Sequence, residues 1–542
     1  MIMRTMEGWM GPGRWLGWMG ALLLIGCGDP TRREDGRLGQ GEQAEVSGNG
    51  FVKARGTRFE LDGQPFFFQG TNYHHIGLLT GRAEREVYEA MRVMGERGLK
   101  VVRLWAFSCQ GGHYAPEQPM IAGIQRNGSG GFDIQYNPAA LERLDVALDA
   151  ARQASLKLIL TLTNFEPEYC GMRWWTQAIT GEQPDSPDDR QNTKKIEFYT
   201  NRDIVETYQK HIAFLLSRQN TRTRVRYRDD PTIMAVELAN EPHTIDWADP
   251  SGRIVHDWLV EMSAFVKGID PNHLVASGEE GYMVSEDGLP DFCRSIDKYR
   301  WIDRGLKGVD FASNVGINSL DFATVHFYPD NWNIHSADFA WARECLVKGR
   351  AAIAHRANKP IVLEESGFSL ANINQTDYCK SPADPGCREY LKALYQTANE
   401  AGYAGTMVWQ ALPPGALGNA VDSQYDFTFD SARFQEIQDQ IAHMNTLSQG
   451  QTPPQPSAYF PRCHPEGVRG NGFALRFTPD ADPSYGWMAR EHGPGFSCIM
   501  PLLPQDQDTF PACALACPFD PQTAPSAAWG WCQTPTGFSC RK

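Results

Sequence analysis

The chain has 542 residues, 42% of them hydrophobic and 21% charged, which is too apolar for a disordered chain and enough, at about 150 residues per domain, for a large core plus smaller units. A net charge of −14 with a pI near 5.5 argues against a partner bound through its phosphates, so no nucleic-acid partner is expected. Aromatic residues reach 11% and include 15 Trp, a composition suited to stacking on flat ligand faces.

Arg4 and Arg14 precede a short apolar run from Trp15 to Ile25. At about 11 residues the run is well short of the ~20 that span a bilayer, and it reads as the core of a signal peptide over residues 1–26. It ends in Leu24-Ile25-Gly26-Cys27, which resembles the bacterial lipoprotein cleavage box. The resemblance implies a lipid on Cys27, which would be the only link to a membrane; ordinary secretion with Cys27 discarded is the alternative. Residues 27–49 have no aromatics and few apolar groups, as in a flexible tether. The expected location is therefore outside the cytoplasm, at the cell surface, on the outer membrane or secreted.

Setting Cys27 aside, 12 of the 13 cysteines remain, six on each side of a Pro/Gln-rich stretch at 448–458. Even counts suit disulfides in an oxidising compartment. The pairing does not follow from the sequence, although Cys379 and Cys387 are near enough to close a small loop. No CxxC pairs with another and no HExxH occurs, so neither a metal nor a cofactor is expected.

Between these ends, short apolar runs recur, each leading into polar or aromatic residues. They are Pro65–Phe68, Val101–Trp105, Leu158–Leu162, Ile233–Val236, Leu274–Ala276, Phe322–His326, Ile361–Glu365 and Thr406–Trp409. Continuous apolar runs suit parallel strands buried on both faces. Stretches such as Glu84–Gly98 and Leu141–Ser155 have the apolar spacing of helices. Eight strands alternating with helices predict an α/β fold, a (β/α)8 barrel over residues 50–447, with long loops such as 165–200.

Chemistry concentrates at two strand ends. Asn240-Glu241-Pro242 follows the fourth run, and Glu364-Glu365-Ser366-Gly367 ends the seventh. A barrel brings such distant carboxylates to one face, and a pair of them, one an acid and one ionised, is what glycoside hydrolysis needs.

The matches extend along residues 50–445: Gly70-Thr71-Asn72, Val102-Arg103-Leu104-Trp105, Asp230-Pro231-Thr232-Ile233, Glu237 to Pro242, Asp321 to Asp330, Lys359 to Glu365 and Val408-Trp409-Gln410. In these motifs the chain resembles glycoside hydrolase family 5 of the large barrel clan, and within it the endo-β-1,4-mannanases. The resemblance implies a retaining enzyme that cleaves internal β-1,4-mannosidic bonds of mannan, galactomannan or glucomannan and acts as a monomer. It assigns Glu241 as acid/base and Glu365 as nucleophile. Arg103 matches the cation that keeps the nucleophile ionised, and the like charge of Glu365 is expected to keep Glu241 protonated until the glycosyl-enzyme forms. Asn240 matches the amide that meets the 2-hydroxyl, His326 and Tyr328 the pair that positions the nucleophile and the leaving-group side, and Trp409 the platform under the reacting sugar. Trp105, Asn164, Glu280 and Trp332 are further candidates for sugar binding. The adjacent His74 and His75 follow the first strand, where they could touch sugar, although such a pair more often serves loop packing.

Two departures matter. Ser366 follows the nucleophile where the family usually has an aromatic, which makes Glu364 a rival for that role. Strand alternation keeps Glu365, since it sends Glu364 to the opposite face. The third strand ends in Leu162-Thr163-Asn164 and lacks the His of many cellulases of the family, which favours mannan over cellulose. An endo-β-1,4-glucanase on the same scaffold, or a non-catalytic polysaccharide-binding surface protein, are the alternatives. The 459–542 segment is a second, Cys-rich module with an internal echo. Tyr485-Gly486-Trp487 leads to Cys498 as Trp529-Gly530-Trp531 leads to Cys540, and the duplication suits either carbohydrate binding or a structural cap.

Overall fold

The computed structural model describes residues 50–450, apart from 79–82, 113–115, 117, 184, 187–190, 371–372, 380–385, 413–424 and 432–433, together with the backbone of two short strands beyond them. The expectations for the signal peptide, Cys27 and the tether lie outside the described residues. So does the Cys-rich module, except that Ala474–Phe477 pairs antiparallel with Met488–Glu491.

Each of the eight apolar runs contributes a strand to one parallel sheet: β1 (Phe68–Asn72), β2 (Val101–Trp105), β3 (Lys157–Thr161), β4 (Ile233–Glu237), β5 (Leu274–Ala276), β6 (Ala323–Phe327), β7 (Ile361–Ser366) and β8 (Gly405–Val408). The order β5-β4-β3-β2-β1-β8-β7-β6 runs round the sheet. The seam between β5 and β6 is bridged by Asp321, whose N–H donates to the Val275 carbonyl while its carboxylate accepts from the Val275 N–H. This is the (β/α)8 barrel.

Strand β1 begins three residues later than the run Pro65–Phe68 suggests, because Gln64–Pro65 belongs to a small antiparallel sheet with Val52–Arg55 and Arg58–Leu61. That sheet lies against the N-terminal ends of the barrel strands. Phe59 meets Phe322 edge-on at 5.4 Å and packs with Phe68, Val101, Ile159, Met234 and Val362 in an apolar cluster. Only a residue without a side chain fits opposite Phe68, since a Cβ on Gly405 would stand 2.2 Å from its ring.

The helix expected from Leu141 begins earlier, at Pro138. Asn137 caps it by accepting from the Ala139 N–H, and proline is pre-shaped for the first helical turn. The long loop after β3 contains its own helix, Met172–Thr180. A hairpin, Ile121–Arg126 with Phe132–Tyr136, follows β2. Three disulfides hold the outer segments: Cys109–Cys170, Cys293–Cys345 and Cys379–Cys387. The last is the small loop expected from spacing. The final helix, Phe434–Ser448, extends one residue into the Pro/Gln stretch, and the Ser448 hydroxyl accepts from the Phe67 N–H.

Candidate active site

The C-terminal ends of the strands surround a cleft of about 620 Å³. Glu241 lies just beyond β4 in the left-handed region (φ 50°), which a non-glycine residue adopts only when its surroundings hold it there. Here the Glu241 N–H donates to the Gly278 carbonyl and the Asn240 N–H to that of Thr163. Gly278 can approach so closely because it has no side chain; a Cβ there would meet the Ala239 carbonyl at 1.9 Å.

Glu365 faces Glu241 across the floor of the cleft. Carboxylate oxygens of the two and a ring nitrogen of His326 all lie within 4.8 Å of one another. Arg103 Nη1 donates to Glu365 Oε1, and the Tyr328 hydroxyl donates to Oε2 at 2.7 Å. His326 Nδ1 is 2.7 Å from Glu241 Oε1. Arg103 is itself fixed by two parallel bonds to Glu237, at 2.8 and 2.9 Å, the fork geometry that suits a guanidinium. Its Nη2 also donates to Asn240 Oδ1 at 2.6 Å.

The expectation that alternation separates Glu364 from Glu365 is overturned. The β6–β7 ladder pairs Val325 with Leu363 and then His326 with Glu365, so Glu364 is the extra residue of a bulge. Both carboxylates consequently point toward Arg103, with Glu364 Oε2 3.8 Å from its Nε and 3.6 Å from His326 Nε2. Glu364 is wholly buried beneath the cleft and only Glu365 lines it. Ser366, the other departure, turns its hydroxyl to the Met407 carbonyl at 2.8 Å and so ties β7 to β8.

Of the residues singled out in the sequence, Trp105, Asn164, Asn240, Glu280, Tyr328 and Trp409 line the cleft with the two glutamates, and Trp332 does too. Arg103 and His326 are fully buried beneath the cleft, where Arg103 reaches the carboxylates, Asn240 and Asn72, and His326 reaches the carboxylates. His74 is more than loop packing, because its ring stacks on Trp409 at 4.9 Å and 12° and lines the cleft. Burial, together with the nearby charges of His75 and Arg103, holds it well below the usual histidine range and hence neutral.

The model for family 5 glycoside hydrolases of the β-mannosidase-like group matches residues 49–410. The chain belongs to glycoside hydrolase family 5. Mannan endo-1,4-β-mannosidase 1 of Oryza sativa subsp. japonica is 34% identical to this family member over 395 residues, covering 70% of this chain and 82% of its own. Mannan endo-1,4-β-mannosidase 1 of Solanum lycopersicum is 32% identical, covering 68% and 85%. Among solved structures, the endo-1,4-β-mannanase of Rhizomucor miehei superposes with a TM-score of 0.56 at 27% identity, over 73% of this chain and 99% of that one.

The electrostatics of this hydrolase site come from packing many like charges around two cations. Burial alone would leave His326 neutral, but Glu365, Glu241 and Glu364 outweigh it and raise its pKa well above the ordinary value. Burial pushes Glu237 up to about 7 against the pull of Arg103, with Glu364 adding to the rise. Glu280, half-buried in the cleft wall near Glu241, is raised well above the carboxylate range by desolvation and then by that neighbour, and it accepts from the Tyr282 hydroxyl at 2.9 Å. Two triads, Glu237/His326/Glu364 and Glu241/His326/Glu365, are compact enough for a metal ion. Arg103 already supplies a cation among those carboxylates, and a protonated His326 has no lone pair to offer one. The sequence reading missed Glu237, Glu168, His243, Tyr282 and Tyr425. Glu237 had a signal in its place at the end of an apolar strand run, and His243 in standing two residues from Glu241. The other three reach the site from loops.

Proposed function

We propose that the protein is a retaining endo-β-1,4-mannanase, with Glu365 as nucleophile and Glu241 as acid/base. The supporting observation is the separation of the two carboxylates, within 4.8 Å, because retention needs about 5 Å, whereas an inverting pair stands farther apart to admit a water. Glu365 attacks the anomeric carbon as Glu241 protonates the departing glycosidic oxygen. Glu241 then takes a proton from the water that releases the sugar from Glu365. Arg103 and Tyr328 occupy both oxygens of Glu365 and leave it one orientation. His326 holds Glu241 through one of its oxygens, Oε1. Trp409, backed by His74, offers an indole face to the sugar. The mannan substrate is supported by the names of the relatives and by Asn164 at the end of β3.

The protein is exported, anchored by lipid on Cys27, and monomeric, with its barrel joined through 448–458 to the Cys-rich module at 459–542. Three disulfides in the barrel support an oxidising compartment. No helix among the described residues is long and apolar enough to cross a membrane.

The test is reducing-end release by the purified protein from linear mannan, galactomannan and carboxymethylcellulose, with Glu365→Ala as control. Release from the mannans that disappears in the variant is expected. Preferential release from carboxymethylcellulose overturns the substrate assignment in favour of a glucanase, and silence on all three favours the binding protein.

A further inference from the structure

We infer that Glu168 is a positioning residue, which, acting through Asn164, fixes the side-chain amide of Asn240 as a hydrogen-bond donor toward the reacting sugar. The inference rests on the proposed role of Asn240 and concerns a carboxylate on the loop after β3.

Three bonds in series define it. Arg103 Nη2 donates to Asn240 Oδ1 at 2.6 Å, Asn240 Nδ2 donates to Asn164 Oδ1 at 3.0 Å, and Asn164 Nδ2 donates to Glu168 Oε2 at 3.2 Å. An amide has an oxygen and a nitrogen of almost equal size, so an isolated asparagine can present either one. This series cannot be reversed. A guanidinium only donates and an ionised carboxylate only accepts, so Arg103 at one end and Glu168 at the other impose the same direction on both amides. Asn240 then has one amide hydrogen left over, and Asn240 lines the cleft. It meets a sugar hydroxyl as a donor.

Both ends are held rigidly. Arg103 is clamped by Glu237. Glu168 is held by a tight loop in which Cys170 is bridged to Cys109, the Met172 N–H donates to the Asn164 carbonyl, and the Cys109 N–H donates to that of Tyr169. The Thr163 hydroxyl closes the loop onto the Cys170 carbonyl at 3.0 Å.

The experiment measures kcat and KM for Glu168→Ala, Glu168→Gln and Glu168→Lys on a β-1,4-linked oligosaccharide of whichever glycan the unmodified protein hydrolyses. The same set is run on an aryl glycoside whose reacting sugar lacks the 2-hydroxyl. For Glu168→Ala, kcat is expected to fall about 10-fold with KM nearly unmoved, the scale of one charge-assisted hydrogen bond acting at a distance. Glu168→Gln keeps an acceptor for Asn164 and recovers most of that loss. Glu168→Lys places a donor at the end that needs an acceptor, sets the two amides against Arg103, and falls furthest, by about 100-fold. On the 2-deoxy substrate the differences among the variants collapse. A loss carried by KM, a glutamine as impaired as the alanine, or a deficit that persists without the 2-hydroxyl overturns the inference and makes Glu168 a direct sugar contact. Thermal melting of each variant separates these outcomes from unfolding. The glycan hydrolysed by the unmodified protein tests the substrate assignment separately, since mannose and glucose units both carry a 2-hydroxyl.

Discussion

The two ends of the barrel are built from the same eight strands and solve opposite problems. At the N-terminal end the strands begin in Phe68, Val101 and Leu274, and the small antiparallel sheet lays Phe59 over them. The few charges there, such as Lys157 on the Gly50 and Pro231 carbonyls and Asp321 on the Val275 N–H, tie backbone segments together, and the packing serves stability. At the C-terminal end the strands finish in Arg103, Glu237, His326 and Glu365. Four carboxylates surround two fully buried cations at the floor of the cleft, an arrangement stable only while each charge keeps its partner. The apolar end therefore tolerates changes in chemistry but not in volume, and the charged end the reverse.

Substitutions at each end sharpen that contrast. The largest effect belongs to Glu241→Ala, which is expected to lower kcat on mannan by about 10²- to 10⁴-fold. Azide should restore turnover of an aryl mannoside with a good leaving group and give a product of retained anomeric configuration; an inverted azide product would assign the nucleophile's role to Glu241 instead. Arg103→Met comes next, because it lowers kcat less than Glu241→Ala does but also leaves Glu237, Glu364 and Glu365 without their shared cation. Urea unfolding should show about 3–5 kcal/mol of lost stability, and full stability would break the claim that the cluster depends on this charge. Phe68→Ala at the other end should lose a similar 3–5 kcal/mol, with kcat within about 2-fold of the parent because the site lies at the far end of the strands.

The smallest effect is a slope. Glu279, buried between Ser277 and Asn314, is pushed by burial from its ordinary 4.5 to about 7. The folded state holds this proton more tightly than the unfolded chain does. Its stabilising contribution is therefore complete below about pH 4.5 and is lost as the pH rises toward 7. Glu279→Gln should flatten the decline of stability across that window by about 1 kcal/mol per pH unit. An unchanged slope in urea melts between pH 4.5 and 7 would refute the burial effect.

The contrast also explains what could be read from the sequence. Apolar runs mark buried parallel strands whatever stands at their ends, so all eight strands were legible, as was the proximity of Glu241 and Glu365. The hairpin Ile121–Tyr136 has a turn signal in Asn127-Gly128-Ser129-Gly130-Gly131, where the Asn127 side chain accepts from the Ser129 and Gly131 N–H groups, but no continuous apolar run flanks it. The face of Glu364 was not legible, because a single bulge in β7 reverses the parity on which alternation depends. Glu168 was not legible either. Its reach to Asn164 is set by a disulfide whose partner is 61 residues away in the chain.

The bridges of the barrel have one more property. Six cysteines can pair in 15 ways, yet here each joins the next in line: Cys109 with Cys170, Cys293 with Cys345, Cys379 with Cys387. No loop encloses another. A chain threaded through a membrane from its N-terminal end delivers both members of each pair before the first member of the next. An oxidant that simply couples thiols in the order of the chain would produce this set, without any reshuffling among the three pairs.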